Sequence, residues 1–181
     1  MVAAAPPAET KREESARFCQ LFEAYQPALR RLVSAYVANP ADRDDLLQEI
    51  AAGIWKSLPG FRAESSERTW IYRVAQNIAI RRSSQVRART AREPGLESSF
   101  DQPSREKSAE DALLLGEKQR ALIAAIRELA AADRQIVTLH LEGLSAAEIE
   151  EVTGVSAGAI ATRLTRIRQK LTERVQGGGG Q

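Results

Sequence analysis

Arginine, rather than any nucleophile or metal ligand, is the chemically suggestive residue of this sequence. A single histidine, His140, and a single cysteine, Cys19, cannot supply a Cys/His metal set or an intramolecular disulfide. No catalytic triad or phosphate-binding glycine loop accompanies them, so the chain reads as a non-enzymatic protein with no cofactor and no metal. His140, near the end of an expected helix, reads as a partly buried or capping residue, and Cys19, beside Phe18, as core with redox sensing as the alternative. The arginines are concentrated. Residues 62–92 hold eight of them against Glu64 and Glu67, a net of +6, and residues 155–175 carry a net of +4. Between these blocks, residues 93–117 carry −5. Two basic blocks flanking an acidic one predict two polyanion-binding surfaces joined by a segment that stays off the polyanion, with solvated helix faces as the plainer alternative.

The elements that must position these arginines read as helices. Ala, Leu, Ile, Glu and Arg dominate, with apolar residues at i, i+3 and i+4, and no alternating β-branched run is present. Residues 1–14 lack an apolar face and read as a disordered leader without the parts of a secretory signal, which leaves the cytoplasm as the expected compartment. No apolar run approaches the ~20 residues of a membrane span, so no membrane insertion is expected. A helix from about Ser15 aligns Phe18, Leu21, Phe22 and Tyr25; Pro27 begins or kinks the next stretch, with Leu29, Leu32, Val33, Tyr36 and Val37. After Asn39-Pro40 a new helix is expected from Asp42, with Leu46, Ile50, Ile54 and Leu58 spaced by four. Pro59-Gly60 stops it, a polar loop follows, and a long helix from Thr69 to about Arg89 places Trp70, Val74 and Ile78 on one face, which assigns Trp70 to the core. Residues 93–108 read as an acidic linker. The second half begins near Ala109, with Leu113, Leu114, Leu122, Ile123, Ile126 and Leu129 on its first helix and a second helix from about Asp133 through Ile136, Val137 and Leu141 to Gly143.

Ser145-Ala146-Ala147-Glu148 is a capping box, so a helix starts there. Thr153-Gly154 interrupts it, and Ser156 caps a second helix with the stripe Ile160, Leu164, Ile167 and Leu171. A short helix, a glycine turn and a longer basic helix make a helix-turn-helix, whose second helix enters the DNA major groove. Thr162, Arg163 and Arg166 lie on or beside the face away from the stripe and are the candidates for contact; Ser156 at the helix start joins them. An amphipathic hairpin in a helical bundle gives a similar pattern without binding DNA.

The stretch GLSAAEIEEVTGVSAGAIATRLTRIRQKL, residues 143–171, resembles the promoter −35-binding domain of sigma-70 family factors of the extracytoplasmic-function (ECF) type. DRDDLLQEIAAGIWKSLPGFR, followed by SSERTWIYRVAQNIAIRR, resembles the other domain of that family, which binds polymerase and the −10 element. The resemblance covers roughly residues 18–90 and 112–174. It implies that Asp45, Gln48 and Glu49 dock on the β′ clamp helices of core RNA polymerase, which also offers its β flap, and that promoter DNA and an anti-sigma factor are the further partners. It also implies that Asn77 and the loop 62–66, through Arg62, Ser65 and Ser66, capture an unstacked −10 base, with Arg73, Arg81 and Arg82 on the flanking phosphates. The sequence departs from the family at Arg81, where an acid is frequent, and at Ala159 and Ala161, where hydroxyl and basic residues are usual.

The expectation is an all-α chain of two small helical domains joined by a flexible linker, the second a helix-turn-helix. Its parts are a leader over 1–14, a polymerase and −10 domain over 15–92, a linker over 93–108, a −35 domain over 109–176 and a flexible tail over 177–181. The expected function is that of a sigma factor that binds core polymerase and directs promoter-specific initiation. The rivals are a self-sufficient helix-turn-helix regulator and a sigma-like interaction protein with reduced promoter reading.

Overall fold

In the computed structural model, which describes residues 8–92 and 116–177, the described chain is seven α-helices and contains no strand. The expected linker, together with Leu113 and Leu114, lies outside the described residues, as does the tail beyond Gly177.

Helix α1 spans Ala8–Ser34. It begins inside the expected leader, because a helix already nucleated by packing gains one hydrogen bond per added residue, and Glu9, Lys11, Arg12, Glu13 and Glu14 are good helix formers. Pro27 lies within α1 and does not end it. Leu21, Leu29, Leu32 and Val33 are buried, whereas Cys19 is exposed, which corrects its assignment to the core. Helix α2, Pro40–Ser57, starts two residues before the expected Asp42. Asn39 is its cap, with Oδ1 accepting from the Ala41 amide at 3.0 Å, and Pro40 occupies a first-turn position where its missing N–H costs nothing.

The expected α2 stripe is buried throughout: Leu46, Ile50, Ile54 and Leu58 are each no more than 3% exposed. Truncating one of them, as in Ile50→Ala, costs about 2–5 kcal/mol. A 3-10 turn, Leu58–Gly60, leads to the polar loop and then to α3, Glu67–Arg92. The buried face of α3 is Ile71, Tyr72, Ala75, Ile78 and Ala79, one position on from the expected stripe, and Trp70 and Val74 flank it half-buried. The helices α2 and α3 approach closely at Gly53, where an added Cβ would overlap the Ile78 side chain.

The second half contains α4, Glu117–Arg127; α5, Ala131–Leu141; α6, Ala146–Thr153; and α7, Ala157–Gly177. Ile126, Leu129, Ile136, Val137 and Leu139 form its core with Ile149, Ile160 and Ile167. Leu141 is 57% exposed despite its place on the expected stripe, because α5 ends there, and His140 is exposed rather than partly buried. Gly143 takes φ +79°, the left-handed conformation that ends α5.

The two halves are docked through a buried polar chain. The Tyr36 hydroxyl donates to Gln76 Oε1, Gln76 Nε2 donates to Thr138 Oγ1 at 2.9 Å, and Thr138 Oγ1 donates to the Arg134 carbonyl at 2.9 Å. The Arg134 guanidinium, itself buried, stacks over the Tyr36 ring and donates to the Leu129 carbonyl. The links run from the turn after α1 to α3 and from α3 to α5, each by a made hydrogen bond, which is what allows polar groups to be buried there.

Candidate nucleic-acid interface

The loop between the 3-10 turn and α3 folds over a cavity of about 350 Å3 lined by Gly60, Phe61, Arg62, Glu64, Ser65, Trp70 and Arg73. Its apolar wall is the Phe61–Trp70 pair, with ring centroids 4.8 Å apart, and the Arg17 guanidinium lies over the Phe61 ring. Trp70 therefore faces this cavity as well as the core, a placement that its four-residue spacing from Val74 concealed. Ala63 in the loop has φ +56°, a strained value for a residue with a Cβ. Three of the expected −10 residues, Arg62, Ser65 and Arg73, thus meet around one cavity, with rings positioned to stack on a planar group.

The other expected −10 residues are placed differently. Ser66 begins α3: its hydroxyl accepts from the Thr69 amide at 3.0 Å and bonds Thr69 Oγ1 at 2.7 Å, so it is a cap rather than part of the cavity wall. Asn77 stands one turn along α3 from Arg73, exposed, and Arg81 one turn further, also exposed. Arg82 is turned towards α2, where Nη1 donates to Glu49 Oε1 at 2.6 Å.

That ion pair also redefines the expected polymerase face. Asp45 and Gln48 are exposed on α2, while Glu49 is half-buried and tied to Arg82. The stripe of Asp45 and Gln48 continues through Ala52 to Trp55, whose indole is 40% exposed and meets Phe18 edge-on at 5.3 Å. Residues at i, i+3, i+7 and i+10 share a helix face, so an exposed aromatic ring lies beside Asp45 and Gln48. The i, i+7 relation of Gln48 and Trp55 was the available signal for it in the sequence.

In the second half the capping box is present: Ser145 Oγ accepts from the Glu148 amide at 3.2 Å, and the Ser145 amide donates to Glu148 Oε2 at 2.8 Å. The bond from the Ser145 backbone, followed by that from its hydroxyl, holds the Glu148 carboxyl below the usual carboxylate range. Gly154, at φ +73°, turns the chain into α7. Where a cap by Ser156 is expected, Glu150 Oε2 accepts from the Ala157 amide at 2.9 Å and the Ser156 carbonyl accepts from the Ile160 amide. Ser156, Ala159, Ala161, Thr162 and Arg166 are exposed, and Thr162 Oγ1 donates back to the Gly158 carbonyl at 3.2 Å. Arg163 is directed towards α5, 3.8 Å from Asp133, so it lies at the edge of the outward face rather than on it.

Five further residues, none of them expected at such a contact, link the halves next to these surfaces. Arg31 forms a two-pronged pair with Glu142, Nε to Oε1 at 2.9 Å and Nη2 to Oε2 at 2.7 Å, and this bond pushes the Arg31 pKa up. Arg68 donates to the Glu142 carbonyl, and the Tyr72 hydroxyl donates to Glu142 Oε2 at 3.3 Å. Burial, then the Glu142 charge, push the Tyr72 phenol up to about 12. Arg73 donates to Glu151 Oε1 at 3.0 Å, and α6 packs along α3. Such pairs join residues 70 to 111 positions apart, with no local signature to betray them.

Comparison with known proteins agrees with this geometry. Residues 21–90 match the family described as Sigma-70 region 2, and residues 119–171 match Sigma-70, region 4. The chain is 30% identical to the ECF RNA polymerase sigma-E factor of Escherichia coli (strain K12), over 84% of this chain and 83% of that protein. It is 29% identical to the RNA polymerase sigma factor NccH of Alcaligenes xylosoxydans xylosoxydans, over 88% and 87%. Among solved structures its fold is similar to the sigma factor RpoE in complex with the anti-sigma factor NepR from Bartonella quintana, with a TM-score of 0.70 and 22% identity over 88% of this chain and 97% of that one. It is also similar to CnrH in complex with the cytosolic domain of CnrY, with a TM-score of 0.63 and 20% identity over 90% of each chain. With both sigma regions matched in order along the sequence, the chain belongs to the sigma-70 family and is an extracytoplasmic-function sigma factor of promoter-specific transcription initiation.

Proposed function

We propose that this sigma factor binds core RNA polymerase through the outer face of α2 and reads its promoters with two separate surfaces. Asp45, Gln48 and Trp55 meet the β′ clamp helices, with Glu49 holding α2 to α3, while the second half meets the β flap. The cavity at Arg62, Ser65 and Arg73 takes an unstacked −10 base between its polar edge and the Phe61–Trp70 wall, and Asn77 and Arg81 follow the strand beyond it, while Arg82 is held by Glu49. Ser156, Thr162 and Arg166, with Arg163 at the edge, address the −35 duplex. The protein makes no covalent change, and its working division is residues 15–92 and 109–176 with 93–108 as the connection. The observation that carries the reading is the cavity itself, an aromatic wall and a cationic rim at the start of the arginine-rich helix.

An anti-sigma factor is the regulating partner, a role supported by the similar structure of the sigma factor RpoE, which is in complex with the anti-sigma factor NepR. The cleft between the halves, about 830 Å3 and floored by Leu47, Leu122, Ile126 and Leu141, is the place for an amphipathic helix of that partner. No described helix is long and apolar enough to cross a membrane, in keeping with work in the cytoplasm. Run-off transcription with purified core polymerase on a genomic promoter pool tests the reading. Discrete transcripts should depend on the protein and be lost with Asp45→Arg/Gln48→Arg at normal helicity; transcripts unchanged by that variant would exclude the α2 face.

A further inference from the structure

We propose that α7 distinguishes its −35 duplex by the 5-methyl groups of thymine, through an apolar patch centred on the Thr162 γ-methyl and flanked by Ala159 and Ala161, an inference that rests on the reading of α7 as the −35 helix. In a helix-turn-helix the base edges meet the first turns of the second helix. There the outward face of α7 is Gly158, Ala161, Thr162 and Thr165, spaced i, i+3, i+4 and i+7, with Ala159 and Arg166 alongside, and all six are exposed.

The polar groups on and around this face are engaged within the protein. Thr162 Oγ1 donates to the Gly158 carbonyl at 3.2 Å, and Thr165 Oγ1 donates to the Ala161 carbonyl at 3.2 Å. Each threonine thereby commits its hydroxyl proton to its own helix and presents an acceptor oxygen and a methyl group. Arg163 and Lys170 face Asp133 on α5 at 3.8 and 3.9 Å. The Ala157 amide at the helix start is taken by Glu150. Among the described residues of the outward face in these first turns, Arg166 is the one long side chain.

The bases ask different things of such a surface. In the major groove guanine presents two acceptors and needs donors, adenine needs an acceptor and a donor together, and cytosine needs an acceptor. Methyl groups answer none of these, but they match the C5-methyl that thymine alone presents. Short side chains also let the helix approach the groove floor closely enough for methyl-to-methyl contact, while Arg166 reaches the backbone beside it. The departure at Ala159 and Ala161 therefore changes the kind of readout rather than removing it.

Holoenzyme assembled from the full chain and core polymerase is titrated with a promoter recovered by run-off transcription. Thymines of its −35 element, on both strands, are replaced one at a time by deoxyuridine, which lacks only the 5-methyl group, and deoxyuridine at spacer thymines is the control. At one −35 position or more, uracil should weaken binding about four-fold, the equivalent of one buried methyl, with no change from the spacer substitutions. Thr162→Ser deletes the γ-methyl and keeps the hydroxyl that bonds Gly158. Its affinity for the thymine promoter should fall by a similar factor, and the uracil penalty at one position should vanish. Uracil accepted as well as thymine throughout the −35 element overturns the methyl readout, as does a set of penalties that Thr162→Ser leaves whole or a −35 element with thymine on neither strand. In those cases a scrambled −35 element that still abolishes binding leaves the assignment of α7 standing. Binding unchanged by scrambling overturns that assignment and the methyl readout with it.

Discussion

Asn77 and Arg166 are the residues at which function and stability separate most cleanly, because both are exposed. Asn77→Ala should leave the melting temperature within the range of a surface change, about 0.5 kcal/mol. It should nevertheless cost about 1–3 kcal/mol of discrimination at one −10 base, since a carboxamide reads a base edge as donor and acceptor together. Permanganate footprinting across a base-substituted promoter set measures it, and unchanged selectivity would remove Asn77 from the interface. Arg166→Ala and Arg163→Ala should differ for a geometric reason. The first projects outward and should lower the salt slope of duplex binding by about one if it neutralises a phosphate. The second is engaged with Asp133 and should change that slope by less. Equal slope changes, measured by titration at several salt concentrations, would show that the Asp133 pair opens on DNA.

Among the elements, α6 is the most dependent on a local motif, being only eight residues long. Ser145→Ala should cost about 0.5–2 kcal/mol, read from denaturant unfolding, because it leaves the Glu148 amide without its cap. The partner carboxyl sets the pH dependence. Glu148 is held below its usual range in the folded state, so its contribution is complete above the unfolded value and is lost as pH falls through the depressed one. Wild type should therefore lose more stability than Ser145→Ala on acidification below the ordinary carboxylate range. Elements of this kind were legible in the sequence because their signals are local. The capping box and the Leu46, Ile50, Ile54, Leu58 stripe are both found as read. The exceptions have physical causes. The core face of α3 turns on Ile71 and Ala75, because the large ring of Trp70 is drawn aside by Phe61. Helix α1 extends through charged residues that have no apolar face to announce them. Of the candidate site, the residue types were legible and their grouping was not: Arg62, Ser65 and Arg73 share a cavity, while Ser66 became a cap and Glu49 and Arg82 neutralised each other.

At the scale of the whole molecule the docked junction is the feature that no local pattern encodes, and its tyrosines report on it. Tyr36 and Tyr72 lie at the junction, buried, and Tyr25 meets the Tyr72 ring edge-on at 6.4 Å. All three phenols are raised above their ordinary value of 10, in each case with burial as the first cause, and Tyr72 reaches about 12. A phenol whose folded pKa is raised keeps its proton while the unfolded chain releases it, so the unfolded state binds fewer protons above pH 10. Stability should therefore be flat in this respect below pH 10 and fall as pH rises from there towards 12. Tyrosinate absorbance of the native protein should show little ionisation near pH 10, and the same protein in denaturant should titrate there in full. The contribution of the junction can be isolated at Glu142, whose charge is the second cause at Tyr72. Glu142→Gln removes that charge and loosens the burial around it, so one of the three phenols should titrate at a lower pH than in wild type while the other elements keep their helicity. An unchanged native titration curve in that variant would mean that Glu142 neither holds the halves together nor acts on Tyr72, and the docked arrangement would have to rest on the Tyr36–Gln76–Thr138 chain and the Arg73–Glu151 pair.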